Sequence, residues 1–167
     1  MVYDLQATVI PTLERSFAFV RRELAGLDLD RDFFKWPQTE GYTGTWSVFG
    51  LFFRGEPYLP IDLAANQRRC PETTAMLRSL PRLDSAGFSL VGADSRILPH
   101  SDNYGPKLQR LHLGVQVPPG SEMIVAGKKV EWEEGRVVMF DRSQIHEVTN
   151  RSTQARVVLL CDFEVLD

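Results

Sequence analysis

From Leu108 to Phe163 the chain reads LQRLHLGVQVPPGSEMIVAGKKVEWEEGRVVMFDRSQIHEVTNRSTQARVVLLCDF, and this stretch decides the fold class. Within it, Leu108 to Val117, Glu122 to Val125, Lys129 to Trp132, Val137 to Phe140, His146 to Thr149 and Arg156 to Phe163 have the apolar and β-branched character of strands. Turn formers separate them: Pro118-Pro119-Gly120, Gly127, Glu134-Gly135 and Asn150-Arg151-Ser152. No segment of helical period lies between the strands, so they pair antiparallel in a sandwich or barrel rather than in a parallel sheet. Working outward, Gly87 to Val91 and the aromatic run Trp46 to Phe53 add strands, while Pro71 to Arg78, stopped by Pro81, reads as a short helix. Further upstream, Leu13, Phe17, Val20, Leu24 and Leu27 recur near the helical period, which predicts one helix from Ile10 to Leu27 with Pro11 in its first turn. The expected architecture is mainly β: a double-sheet jelly roll over about residues 44–165, supported by N-terminal helices over about 1–40, as one domain spanning 1–167.

The composition narrows the function. With 167 residues the chain is of ordinary single-domain length, and its 43% hydrophobic and 25% charged residues suit a packed core rather than a disordered chain. A net charge of -3 and a pI near 5.6 offer no general attraction to phosphate backbones or anionic lipid, so nucleic acid and membrane are not expected partners. No apolar run reaches the length of a membrane span and no secretory leader is recognisable, which points to the cytoplasm. Cys70 and Cys161 lie too far apart to suggest a zinc knuckle, and Cys161, inside Val157-Val158-Leu159-Leu160-Cys161, reads as core.

All three histidines, His100, His112 and His146, fall in the β-rich half. His100 and Asp102 form His-x-Asp, in which alternate residues of an extended segment project to one side. With His146 at the start of a later strand, two imidazoles and a carboxylate can form a facial triad, the ligand set that leaves positions open on Fe(II). A closed zinc site would want a fourth ligand, and none is near in sequence. If Asn150 to Gln154 form a hairpin loop, antiparallel pairing returns Arg156 beside His146 or Val148, where a guanidinium can grip a carboxylate bidentately. A strand arginine directed to solvent fits the same residues. Arg110 and His112 share one face of their strand, opposite Leu111, Leu113 and Val115; that pair suits a cavity wall or a solvated face equally.

Several ordered motifs resemble the catalytic domain of the aspartyl/asparaginyl β-hydroxylase family: Gly87-Phe88-Ser89, Leu98-Pro99-His100, Arg110-Leu111-His112-Leu113-Gly114, Trp132-Glu133-Glu134-Gly135-Arg136, and Phe140-Asp141 followed by His146-Glu147-Val148. Gly44 to Leu51 and Cys70-Pro71-Glu72-Thr73 extend the likeness to most of the chain beyond about residue 40. The resemblance implies a double-stranded β-helix using Fe(II), 2-oxoglutarate and O₂, and releasing succinate and CO₂. It implies that His100 and His146 bind iron, that Ser89, His112 and Arg156 bind 2-oxoglutarate, and that Arg110 is a basic pocket residue toward cosubstrate or substrate. The animal enzymes of the family carry Gly where this chain has Asp102 and hold iron with two histidines. This chain also has one more residue between His100 and His112, so Asp102 either completes a triad or turns away in an altered loop.

The expectation is therefore a hydroxylase acting on an amino acid, an amino-acyl or peptide side chain, or a related small or carrier-bound biosynthetic substrate. Arg54, Arg110 and Arg142 near the candidate rim suggest a carboxylate or other anion on it. The rivals are a non-catalytic cupin-like module holding a small acid or metal, and a cupin-type metalloenzyme independent of 2-oxoglutarate; the latter tends to spend more histidines on its metal.

Overall fold

A computed structural model describes residues 4–165. The chain opens with α1 (Leu5–Arg15) and α2 (Phe17–Ala25), followed by β1 (Phe34–Lys35), β2 (Tyr42–Thr43) and β3 (Trp46–Phe53). Next come α3 (Leu63–Arg69), α4 (Pro71–Ser79), β4 (Leu83–Val91) and β5 (Ser95–His100). The remainder is β6 (Leu108–Gln116), β7 (Ser121–Val125), β8 (Lys128–Val130), β9 (Val137–Asp141), β10 (His146–Asn150) and β11 (Arg156–Glu164). The strands form a larger sheet in the order β1-β3-β4-β11-β6-β9 and a smaller one in the order β2-β5-β10-β7-β8. Every described pairing is antiparallel.

Period-two alternation makes the larger sheet two-faced. Leu111, Leu113, Val157, Leu159, Cys161 and Phe163 point away from the smaller sheet and join Val9, Leu13, Val20 and Leu24 of the helices in one apolar core. Between the sheets lies a second core of Val91, Ile97, Met123, Trp132, Phe140, Val148 and Val158. The inner face is where the same strands carry polar residues: Ser89, Arg110, His112, Arg156 and Asp162 are all buried or nearly so. A strand with apolar residues on one side and charged ones on the other, both out of water, needs two different partners. The helical layer supplies one and the intersheet space the other.

The expected jelly roll is present, with corrections in detail. The single helix from Ile10 to Leu27 is broken at Ser16, whose hydroxyl donates to the Leu13 carbonyl at 2.7 Å and so competes with the helical ladder. Helix α1 also begins earlier than expected, capped by the Asp4 carboxylate accepting from the Gln6 amide at 2.9 Å, so Pro11 lies inside the helix and not in its first turn. Helix α3 and strand β5 extend the set of elements expected.

The hairpin expected over Asn150 to Gln154 does not form. Strand β10 pairs with β5 and β7, whereas β11 pairs with β4 and β6 in the other sheet, so this connection is an arch between layers. Its pivot is Asn150, 1% exposed, whose Nδ2 donates to the carbonyls of Val91, Gly92 and Gln154 at 3.1, 2.9 and 2.8 Å. Its Oδ1 accepts from the Ser152 amide at 3.0 Å. Arg156 therefore stands opposite Val91, on the far wall of the intersheet space from His146.

Candidate metal centre

His146 and His100 are direct partners across β10 and β5, with ring centroids 4.3 Å apart. In each ring Nδ1 lies at hydrogen-bond distance from the carbonyl two residues earlier, 2.9 Å to Leu98 for His100 and 2.8 Å to Gln144 for His146. A carbonyl can only accept, so Nδ1 carries the proton and Nε2 keeps its lone pair. The His146 Nε2 is buried and has no hydrogen-bond partner among the described residues. Burial, reinforced by His100, lowers the pKa of His146, and the neutral ring is the form that ligates a metal.

Asp102 completes the cluster by a route other than strand alternation. Strand β5 ends at His100, and the Asp102 amide donates to the Arg142 carbonyl at 3.0 Å, which fixes the loop. Its carboxylate then lies 3.8 Å from the His100 Nε2 and 3.7 Å from the His146 Nε2. One ligand atom from each of His100, Asp102 and His146 falls within 4.8 Å of the others. Two imidazoles and one carboxylate, with an orphaned buried nitrogen among them, fit a hard-to-borderline divalent ion such as Fe(II).

A chain of rings leads from this cluster across the space between the sheets. Phe140 lies 5.2 Å from His146 and 5.2 Å from His112, and the His112 ring lies 6.0 Å from Trp132. The guanidinium of Arg156 stands over Trp132 at 4.8 Å. Both ring nitrogens of His112, and Nε and Nη1 of Arg156, lack hydrogen-bond partners among the described residues. Burial, with Arg156 and Arg110 nearby, holds His112 well below its ordinary pKa, so the ring is neutral. Burial alone pulls Arg156 down to about 9, which still leaves it charged at neutral pH. Ser89 sits on β4 opposite Val158, and its hydroxyl accepts from the Trp46 indole at 3.3 Å.

Arg110 lines the pocket beside the cluster, and its guanidinium is already paired. Its Nε and Nη2 donate to Asp162 at 2.8 and 2.9 Å, and its Nη1 donates to Asp102 at 2.7 Å. Arg142 flanks the Asp162 carboxylate at 3.7 Å and donates to the Tyr104 carbonyl at 2.8 Å. Asp162 and Arg142 were not among the residues singled out as ligands from the sequence. A carboxylate in the apolar run Val157 to Phe163, in phase with Arg156, was the available signal for Asp162.

A sequence model of the family described as Aspartyl/Asparaginyl beta-hydroxylase matches residues 14–165. The ornithine lipid ester-linked acyl 2-hydroxylase of Rhizobium tropici is 35% identical over 121 residues, covering 71% of this chain and 41% of that protein. Human aspartyl/asparaginyl beta-hydroxylase is 29% identical over 166 residues, covering 92% of this chain and 21% of that protein. This chain thus spans less than half the length of either relative. Among solved structures, an oxidoreductase of the 2OG-Fe(II) oxygenase family from Burkholderia pseudomallei superposes with a TM-score of 0.57 at 18% identity, over 90% of this chain and 79% of that one, which shows a shared fold.

Proposed function

The chain belongs to the aspartyl/asparaginyl β-hydroxylase family, and on that premise we propose that it is an Fe(II)- and 2-oxoglutarate-dependent dioxygenase that hydroxylates an amino acid, an amino-acyl or peptide side chain, or a related small or carrier-bound substrate. The observation that carries this reading is Arg156, a guanidinium 1% exposed, stacked on Trp132, with two nitrogens that have no partner among the described residues. A buried cation without a counter-ion costs several kcal/mol or so unless an anion joins it. The distal carboxylate of a 2-oxo diacid is such an anion, and a bidentate fork suits it.

In this reading His100, His146 and Asp102 hold the ion through Nε2, Nε2 and a carboxylate oxygen. When bound there, Fe(II) would supply the redox chemistry that couples oxidative decarboxylation of the 2-oxo acid by O₂ to hydroxylation, with succinate and CO₂ as the co-products. Arg156 takes the far carboxylate, and Ser89, whose oxygen already accepts from Trp46, has its own proton free to donate to it. His112, neutral, can offer one ring N–H to the same anion. Val91 and Val158 keep water from that end, which strengthens each charged hydrogen bond. Arg110 is assigned to Asp102, which it orients, rather than to the cosubstrate.

The test is turnover. The purified protein with Fe(II), ascorbate and O₂ should convert 2-oxoglutarate to succinate slowly alone and faster with a true substrate. Iron binding with no succinate under any candidate substrate would return the non-catalytic cupin-like module.

A further inference from the structure

A cavity of about 360 Å³ opens beside Asp102, on the inner face of the larger sheet and under the segment that links β3 to α3. Three arginines line it, and they are the ones from which an anionic substrate was expected. None is free. Arg110 is held by Asp162 and Asp102, and Arg142 by Asp162 and the Tyr104 and Pro106 carbonyls. Arg54 donates twice to the Leu83 carbonyl, at 3.2 and 3.0 Å, and faces Glu164 at 3.4 Å. Carboxylates outnumber the guanidiniums, because Glu56 and Asp84 line the same space with Asp102 and Asp162. Burial, with Asp162 and Glu164 beside it, pushes the Asp84 carboxyl up, as expected where negative charge is already in excess. An incoming carboxylate would meet no unpaired cation here.

Apart from Ser85 and Ser89 and the two tyrosines, the rest of the wall is hydrocarbon. Trp46, stacked on Trp36 at 4.5 Å, forms one side with Val48, while Ile61, Leu108 and Leu160 close the others. Tyr58 and Tyr104, 69% and 62% exposed, flank it. The floor is a trench made by Gly50 and Gly87, which face each other across β3 and β4. At Gly87 the backbone explains the glycine, since a Cβ would come within 2.5 Å of the Phe49 carbonyl oxygen. At Gly50 the register of β3 against β4 shifts, and a Cβ would meet only side chains, Ile61 at 3.4 Å and Phe53 at 3.5 Å.

We propose that this trench holds a neutral hydrocarbon group of the substrate, an apolar side chain or acyl segment, and excludes a carboxylate side chain at the carbon presented to Asp102. That the group held there is the one oxidised rests on the dioxygenase reading; the selectivity of the trench does not. The test is a titration of metal-free protein, followed by the fluorescence of its tryptophans, with N-acetyl-leucinamide, octanamide and N-acetyl-aspartamide. The first two should saturate at least tenfold more tightly than the aspartyl probe, and whichever of them is tighter identifies the source, amino-acyl or acyl. Gly50→Leu should cost that binding at least tenfold. Ile61→Trp fills the trench from the loop side and serves if the strand variant does not fold. Equal or tighter binding of the aspartyl probe, no binding by any probe, or unchanged binding in the trench-filled protein overturns the proposal. The dioxygenase reading is judged separately, by an Fe(II) and 2-oxoglutarate chelate in the same preparation.

Discussion

Arg156 and Asp162 occupy the same face of β11 six residues apart, one a cation without an anion and the other an anion gripped by Arg110. The account makes opposite predictions for them. Arg156→Met removes an uncompensated buried charge, so the ligand-free protein should melt at a higher temperature than wild type. The same variant should lose the stabilisation that 2-oxoglutarate confers, because a charged hydrogen-bonded pair contributes about 1.5–3 kcal/mol, at least tenfold in affinity. Iron affinity should be retained; equal protection of both proteins by 2-oxoglutarate would show that Arg156 faces nothing. Asp162→Asn, by contrast, frees Arg110 from its bidentate partner and lets it pull Asp102 out of the cluster. Binding of Fe(II) or Mn(II), followed by calorimetry, should weaken several-fold with the fold intact, and unchanged metal affinity would reduce Asp162 to a packing residue.

His112 gives a prediction about acid. Its folded-state pKa lies below the ordinary 6.5, so the unfolded chain binds the extra proton. Stability is then full above about pH 6.5 and falls as pH drops through that value, by about 1.4 kcal/mol per pH unit until the folded-state pKa is reached. His146, lowered in the same direction, adds to the slope in metal-free protein. Denaturant midpoints between pH 7 and 5 should fall less steeply in His112→Asn than in wild type. Parallel curves would mean that the ring is hydrated in solution.

At the scale of elements, the arch from β10 to β11 is what puts the two walls of the site in different sheets. Asn150→Ala deletes bonds to three carbonyls and one amide of that connection, at about 1–3 kcal/mol for each buried group left unpaired. The unfolding free energy should drop by at least about 2 kcal/mol with an unchanged m-value, and a loss under about 0.5 kcal/mol would show that the arch holds itself. This connection is also where the sequence misleads. The strands from Leu108 to Phe163 were legible within a residue or two, since apolar runs and turn formers alternate there. A polar linker between two strands, however, looks alike whether it makes a hairpin or crosses between layers. The choice lies in the hydrogen bonds of Asn150 with Val91 and Gly92, some 58 residues away in sequence. His100 and His146 were legible as a pair because the residues around them are distinctive. The pairing of Arg110 was not legible because its partners Asp102 and Asp162 come from a loop and a distant strand, and pairing of that kind leaves no local pattern.

Across the whole molecule, one sheet is shared between two cores with different tasks. Its outer face is closed by α1, α2 and α4 into a dry apolar layer, and among the described residues no helix is long and apolar enough to cross a membrane. Its inner face carries the buried charges, and the smaller sheet brings both histidines against them. The arrangement makes sense if the rigid outer core fixes Arg110, His112, Arg156 and Asp162 on one wall while β5 and β10 set the metal on the other. A diacid anchored at Arg156 would then span the gap. The most direct test of this is an anaerobic titration of the protein with Fe(II) and 2-oxoglutarate, watched for the visible charge-transfer band of the chelate. The account predicts a band that saturates at one iron and one 2-oxoglutarate per chain and disappears in His100→Ala and His146→Ala. A protein that binds Fe(II) but develops no band at saturating 2-oxoglutarate would contradict it.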